Sequence, residues 1–332
     1  MESKASFIPV IGIIILTIIT ITAIVGNLFY LITLYKNPSL QNRINNNFIG
    51  NLAAADLLTG LLAIPMVLTV IIMGSSVPST ICQAQAFLVG WFYGVSLTIA
   101  AVISIDRCII VVQPLRYPNL MTPNKVKVLI IFPWVFSLII YIVPLLGLEN
   151  VGLGRYGYKD YCRLDSSIIS IAIEREEENC SKGFAIGSPE EALVFGASDV
   201  IASIYLIHLI LVISIVVGCY SIIFCIACQK NLACDRNRAR SIIKSIRTTA
   251  TIVGTNLFCW IPTTVLTILD LSDFEIFNLL PFKVSVIFYI LFLATAATNP
   301  IIYIWRSHEL RNRVITTVCY KRNRIMHLQR NL

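Results

Sequence analysis

The sequence predicts an all-α membrane protein: a bundle of seven transmembrane helices with a short amphipathic helix after the seventh span. Three observations predict it. The 332-residue chain is 57% apolar and 13% charged, with a mean hydropathy of +0.80, outside the range of a soluble domain. Long charge-free intervals recur along it, and the segments that connect them fall into two sets of opposite charge.

The intervals count the spans. They run over residues 5–35, 44–105, 128–148, 200–229, 248–269 and 284–305, the second broken only by Asp56. That second interval holds 62 residues and has a turn signal at Gly74-Ser75-Ser76 with Pro78, so it is two spans and the total is seven. The third span works as a ruler. Cys82 and Arg107 stand 25 residues apart, about 37 Å on a helix rising about 1.5 Å per residue, more than a hydrocarbon core of about 30 Å. Cys82 and the Asp106-Arg107 pair therefore lie on opposite sides of the membrane.

Charge orients the bundle. Residues 36–43, 106–127, 230–247 and 306 onward carry a net of +16, from 19 basic and three acidic side chains. The N-terminus with 149–199 and 270–283 carries −7, from seven basic and 14 acidic ones. The positive-inside bias places the C-terminus in the cytoplasm and the N-terminus outside. The formal net charge of +8 does not imply nucleic acid, because the basic residues flank apolar spans in short loops and form no groove with stacking aromatics. The first apolar run is too long for a signal-peptide core and has no evident small-residue cleavage site, so it reads as a retained span.

In chain order, span one carries Gly26-Asn27, an amide that lipid tolerates only when another helix bonds it. Span two carries Asp56, a lone intramembrane carboxylate and by default a functional-site candidate; the alternative is a protonated packing residue. Span three places Ser96 about 16 Å in from Arg107, at the depth of Asp56, where its hydroxyl reaches the acid or bonds its own helix. Pro114 ends that helix. Trp134 in span four reads as packing. Residues 147–198 form a long outer loop with Cys162 and Cys180; one disulfide from Cys82 to this loop is expected, with Cys162 favoured over Cys180. Asn179-Cys180-Ser181 is a glycosylation sequon on the outer face. Span five holds His208, either a bonded core residue or a ligand contact, and Tyr220. Span six has Phe258-Cys259-Trp260-Ile261-Pro262, where a proline kinks the helix beside an indole. Span seven ends in Asn299-Pro300-Ile301-Ile302-Tyr303, a second such break. Beyond it Leu310, Val314, Ile315 and Val318 recur at helical spacing, an amphipathic helix on the inner leaflet with Cys319 a palmitoylation candidate. Residues 1–320 read as one domain and 321–332 as a short basic tail. No metal-spaced His/Cys set, phosphate loop or internal repeat is present.

Gly26-Asn27, Leu52-Ala53-Ala54-Ala55-Asp56, Cys82, Asp106-Arg107-Cys108, Trp134, Tyr220, Cys259-Trp260-Ile261-Pro262 and Asn299-Pro300-Ile301-Ile302-Tyr303 occur in order through all seven spans. Together they resemble the rhodopsin-like (class A) G-protein-coupled receptors. The resemblance implies a plasma-membrane receptor that binds an extracellular ligand and activates a heterotrimeric G protein by helix rearrangement. It makes Arg107, with Asp106, the switch that meets the G protein, and makes Tyr220 and Tyr303 the tyrosines that regroup around it. Trp260, beside Pro262, becomes the toggle below the ligand pocket. Asp56, Ser96, Thr295 and Asn299 become a sodium pocket. Candidate ligand contacts are Gln85, Val89, Tyr93, His208, Thr263, Thr264, Thr267 and Tyr289. No retinal or other organic cofactor is expected, since Leu293 stands where opsins carry the retinal lysine. Val89 stands where amine receptors carry an aspartate, which argues against a salt-bridged amine. Other departures are Cys108 for the usual tyrosine, Ile242 for a frequent acid at the start of span six, Val212 for the usual proline of span five and Asn256 for the usual phenylalanine of span six.

Two other classes fit less well. A transporter or channel needs a continuous polar path, and apart from Asp56 the spans offer no chain of charges. An intramembrane enzyme needs a nucleophile with its base, paired carboxylates or a metal set at one depth, and none is seen.

Overall fold

The computed structural model describes residues 2–146, 155–158, 162–165, 198–229, 236–271, 282–306 and 311. Among them seven helices are long and apolar enough to cross a membrane: α1 (Val10–Tyr35), α2 (Ile44–Met73), α3 (Ser79–Val112), α4 (Pro123–Leu145), α5 (Ser203–Ile226), α6 (Ile246–Leu266) and α7 (Val286–Trp305). The two spans expected within 44–105 meet at a turn over Gly74–Ser76, where Gly74 takes a positive φ of 58° that favours a residue without Cβ. The ruler is one unbroken helix of 34 residues.

The bundle is apolar outside and polar within, which lipid selects and water would not. Ile18, Ile139, Phe224 and Phe258 point outward, each more than half exposed, while Asn27, Asn51, Asp56, Gln85, Asp106, Arg107, Asn256 and Asn299 are buried. Each buried amide that bridges two helices fixes their register. Pro300 has no N–H to give the Ala296 carbonyl one turn before it, and Asn27 Nδ2 donates to that oxygen at 3.0 Å instead. Gly26 beside it has room for no Cβ, because Pro300 packs on that spot. Trp134 also does more than pack: its Nε1 donates to Asn51 Oδ1 at 2.7 Å, and Asn51 Nδ2 returns a bond to the Ile130 carbonyl at 3.0 Å, tying α2 to α4.

Among the described residues the all-helical expectation has one exception. In the outer loop β1 (Arg155–Tyr158) and β2 (Cys162–Asp165) pair antiparallel, Tyr158 opposite Cys162. A two-stranded hairpin is marginal alone, but this one is anchored twice. Cys162 forms the disulfide with Cys82 at the outer end of α3, the partner favoured from sequence. Tyr156 is buried and its hydroxyl donates to the Tyr141 carbonyl of α4 at 2.8 Å. Cys180, Asn179, Cys319 and the amphipathic stretch 310–318 (Arg311 apart) lie outside the described residues, as do the side chains of Ile242 and Thr267.

Candidate functional site

Three layers of polar side chains line the bundle from the outer end to the inner one. The outer layer joins α3 to α7. Gln85 is fully buried, and its Nε2 donates to the Tyr289 hydroxyl at 3.2 Å. Below them Tyr93 packs edge-on against Trp260, centroids 5.3 Å apart, and tilts against Phe292 at 4.6 Å, while Tyr289 stacks on Phe292 at 6.0 Å. Thr263 donates to the Phe288 carbonyl at 3.0 Å, which ties α6 to α7, and Thr264 donates within α6 to the Trp260 carbonyl at 2.9 Å. Val89 packs in the cluster of Tyr289 and Leu293.

His208 stands apart from this group. Its Nε2 lies 3.0 Å from Thr98 Oγ1 of α3, and its ring meets Phe136 of α4 edge-on at 5.2 Å. The Thr98 hydroxyl spends its proton on the Gly94 carbonyl at 2.8 Å, so the imidazole must be the donor and its proton sits on Nε2. His208 is thus buried between three helices, bonded to α3 and packed on α4.

The middle layer is a cavity of about 20 Å³ lined by Asp56, Thr59, Val89, Phe92, Tyr93, Ser96, Trp260, Phe292, Leu293, Thr295 and Ala296. That is room for one water-sized occupant. Asn299 Nδ2 of α7 donates to Asp56 Oδ2 at 2.8 Å, and the Ser96 hydroxyl faces the same carboxylate. Thr295 donates to the Phe292 carbonyl at 2.8 Å, which leaves its oxygen lone pairs for the cavity. The backbone helps: over Thr59–Ala63, one turn after Asp56, α2 widens into a π-helical segment just before Pro65. Sequence periodicity has no signal for that widening. The four residues expected at a sodium site thus come together: Asp56, Ser96 and Thr295 line the cavity and carry oxygens, the donor type a hard cation prefers, and Asn299 is bonded to Asp56 through its Nδ2.

The inner layer lies at the end of α3. Asp106 and Arg107 are both buried and form an ion pair, with Arg107 Nε on Asp106 Oδ2 at 2.9 Å. The Tyr117 hydroxyl, from the short connection after α3, donates to Asp106 Oδ1 at 2.7 Å. Burial, and then the hydrogen bond to that carboxylate, push the Tyr117 phenol well above its usual range, so it stays a donor at every physiological pH. Sequence reading missed Tyr117, whose sole clue is its position ten residues after Arg107. Tyr220 sits beside Ser104 and Thr249 within the field of Arg107. Tyr303 is buried against Tyr30 of α1, ring centroids 4.9 Å apart. Of the two tyrosines expected around Arg107, Tyr220 is near it here and Tyr303 is held by the α1 contact.

A seven-helix bundle with a buried acid at its middle, an aromatic floor above and an arginine pair at its inner mouth is the architecture of a transmembrane signalling receptor. The chain belongs to the rhodopsin family of seven-transmembrane receptors, whose family model it matches over residues 26–303. It is 27% identical over 305 residues to the adenosine receptor A2b of Gallus gallus, covering 89% of this chain and 84% of that one. It is 28% identical over 313 residues to the adenosine receptor A2a of Homo sapiens, covering 88% and 68%. In fold it is similar to the crystal structure of squid rhodopsin, with a TM-score of 0.72 at 21% identity over 92% of this chain and 84% of that one. The protein is a G-protein-coupled receptor, and neither the family nor the fold supports the transporter or channel alternative.

Proposed function

We propose that this receptor sits in the plasma membrane with its N-terminus outside and binds a neutral extracellular ligand above Trp260. The family implies an extracellular ligand and a G protein as partners; the ligand's class is read from the pocket. Val89 and Leu293 put no charge on the walls, and Gln85, Tyr93, Thr263 and Tyr289 supply hydroxyls, an amide and aromatic faces. Such walls suit a neutral molecule with an aromatic or hydroxylated body and reject an ammonium, which would be left unpaired. Adenosine, the ligand in the relatives' names, is the first compound to test. Charge supports the orientation, and it makes Asn179 accessible to glycosylation outside, and Cys319 to palmitoylation inside, where membrane lipids meet the basic end of the chain.

One observation carries the reading. Asp56 is shared between a cavity that touches Trp260 and a hydrogen bond to Asn299, next to Pro300 inside the inner segment Thr295–Arg306 of α7 and one turn past the interruption at Ala294. A ligand pressing on Trp260 changes the cavity, the cavity changes the hold on α7, and the inner ends of the helices regroup around Arg107. A sodium ion in the cavity would favour the arrangement that keeps Asp56, Ser96, Thr295 and Asn299 together. The protein transduces and does not catalyse. The test is a ligand-library screen in cells with readouts for each G-protein class, run on the wild type and on Arg107→Ala. A ligand that drives exchange in the wild type and not in the variant is the expected result; flux of that ligand across proteoliposomes without any exchange would overturn it.

A further inference from the structure

On the lipid side of the bundle, residues 216–225 of α5 and 250–257 of α6 enclose a groove of about 660 Å³. Val216 and Val253, buried members of one apolar cluster, close it off from the interior. Val217 and Phe224 form its lips, both more than half exposed. Gly254 keeps it open: a Cβ there would meet nothing within 4 Å. Residues 216 and 225 stand nine positions apart, about 14 Å on a helix, which is the depth of one leaflet in a hydrocarbon core of about 30 Å. Both helices are membrane spans, so what covers the groove comes from the bilayer and not from water. Charge says which lipid. Arg247, Ala250, Gly254 and Leu257 recur at spacings of three, four and three within the helix Arg236–Leu271, the spacings of one helix face. Arg247 therefore stands at the inner end of the groove's α6 wall. It is exposed, and among the described residues its guanidinium joins no ion pair. On the α5 wall Ser221 and Cys225 put polar atoms toward the same end, while Val216 and Leu257 make the outer end apolar.

We propose that this groove binds an anionic phospholipid of the leaflet at the inner mouth, with one acyl chain lying between α5 and α6 and the charged headgroup meeting Arg247. The pattern of the walls is that of the ligand: apolar toward the bilayer centre, polar toward the boundary, and a cation where the headgroup lies. A guanidinium suits the job, since its planar fork takes two oxygens of a phosphate or carboxylate at once. Anionic phospholipids are concentrated in the cytoplasmic leaflet, where each basic side chain near the surface adds to the attraction. The bound chain also packs on Tyr220, which lines the groove, so the occupant touches one of the side chains expected to regroup around Arg107. Placing the site in the cytoplasmic leaflet rests on the orientation proposed above, whereas the binding itself does not.

The experiment places one full-length receptor per nanodisc in phosphatidylcholine doped with a trace of phosphatidylserine that carries a diazirine in one acyl chain, or of phosphatidylcholine that carries the same group. After photolysis the labelled peptides are read by mass spectrometry for the wild type, Gly254→Leu and Arg247→Gln. The expected result is that the phosphatidylserine probe marks segments 216–225 and 250–257 at least about fivefold more than the phosphatidylcholine probe, the factor that one basic side chain at a charged leaflet supplies. Gly254→Leu, whose new side chain enters open space and not a packed contact, loses the mark from both segments. Arg247→Gln keeps the mark and loses the preference. Equal marking of the wild type by the two probes would reduce the groove to contact with bulk hydrocarbon and overturn the proposal, and so would a mark that Gly254→Leu leaves unchanged. Competition by unlabelled oleic acid but not by unlabelled phosphatidylserine would give the groove to a free fatty acid and overturn it as well. Both leaflets of a nanodisc have the same composition and no G protein is added, so these outcomes stand apart from the orientation and from the signalling reading.

Discussion

Asp56 shows how much one residue can be asked to do in the middle of a membrane-spanning bundle. Its carboxylate accepts from Asn299 and faces Ser96 and Thr295 across a space of one water's size, so a cation placed there meets oxygens from three helices. Asp56→Asn removes the charge and keeps the size. Agonist affinity in that variant is expected to be the same with and without about 0.15 M sodium, an ordinary physiological ionic strength, while in the wild type sodium lowers it; radioligand displacement in the two salts measures this. Tyr117 is a residue of the same kind at the inner mouth. Its hydroxyl fixes one Asp106 oxygen while Arg107 takes the other. Tyr117→Phe removes one bond to a buried carboxylate, a loss of about 1 kcal/mol, and basal GTP exchange should rise about fivefold. An unchanged basal rate at matched surface expression would show that the tyrosine does not hold the pair. Both acids were legible in the sequence because charge in lipid is costly. Their partners were not, because which face of a helix meets which neighbour depends on rotation and register that one sequence does not state; hence His208 turned toward Thr98 and Phe136.

At the scale of helices, legibility follows the same division. The seven spans and the Gly74 turn were readable because a bilayer leaves few structures possible. The π-helical widening in α2 and the outer hairpin were not: the first leaves no periodic signal, and the second is anchored by Cys82 and Tyr141, residues of other elements. The approach of α4 to α3 is another such contact. Tyr141 lies in a groove made by Gly90 and Gly94, one turn apart on α3, and a Cβ at either glycine would collide with its ring. Tyr141 also stacks on Tyr205 of α5, centroids 4.6 Å apart, and its carbonyl receives the Tyr156 hydroxyl. The two glycines therefore set the spacing of α3, α4, α5 and the hairpin together. Gly94→Ala should destabilise the folded receptor by about 1–3 kcal/mol, the usual cost of overpacking. Tyr141→Ala should absorb part of that cost in the double variant. Thermal unfolding of the detergent-solubilised protein across the four-member cycle checks it, and strict additivity would mean that the ring and the glycine do not meet.

For the molecule as a whole, the balance between resting and signalling arrangements is the property that these contacts tune. A ligand or a mutation moves that balance only by its difference in affinity or stability between the two states. The inner mouth contains a buried Asp106-Arg107 pair, and many receptors of this family add an acid from the start of α6 that holds the arginine when the bundle is closed. Here position 242, within the helix Arg236–Leu271, is an isoleucine. An isoleucine offers the arginine no charge, so closing the bundle gains no ion pair from position 242 and the resting state lacks that contribution. Ile242→Glu restores a carboxylate that can meet Arg107 only when α6 lies against α3, and so it stabilises that state selectively. A partly buried charge pair contributes on the order of 1–2 kcal/mol, a five- to thirtyfold shift in population. Basal GTP exchange should fall by about that factor at matched surface expression, with agonist still able to restore exchange at higher concentration. Equal basal exchange in the two proteins would show that Arg107 is already held as firmly by Asp106 and its other neighbours as an added acid could hold it.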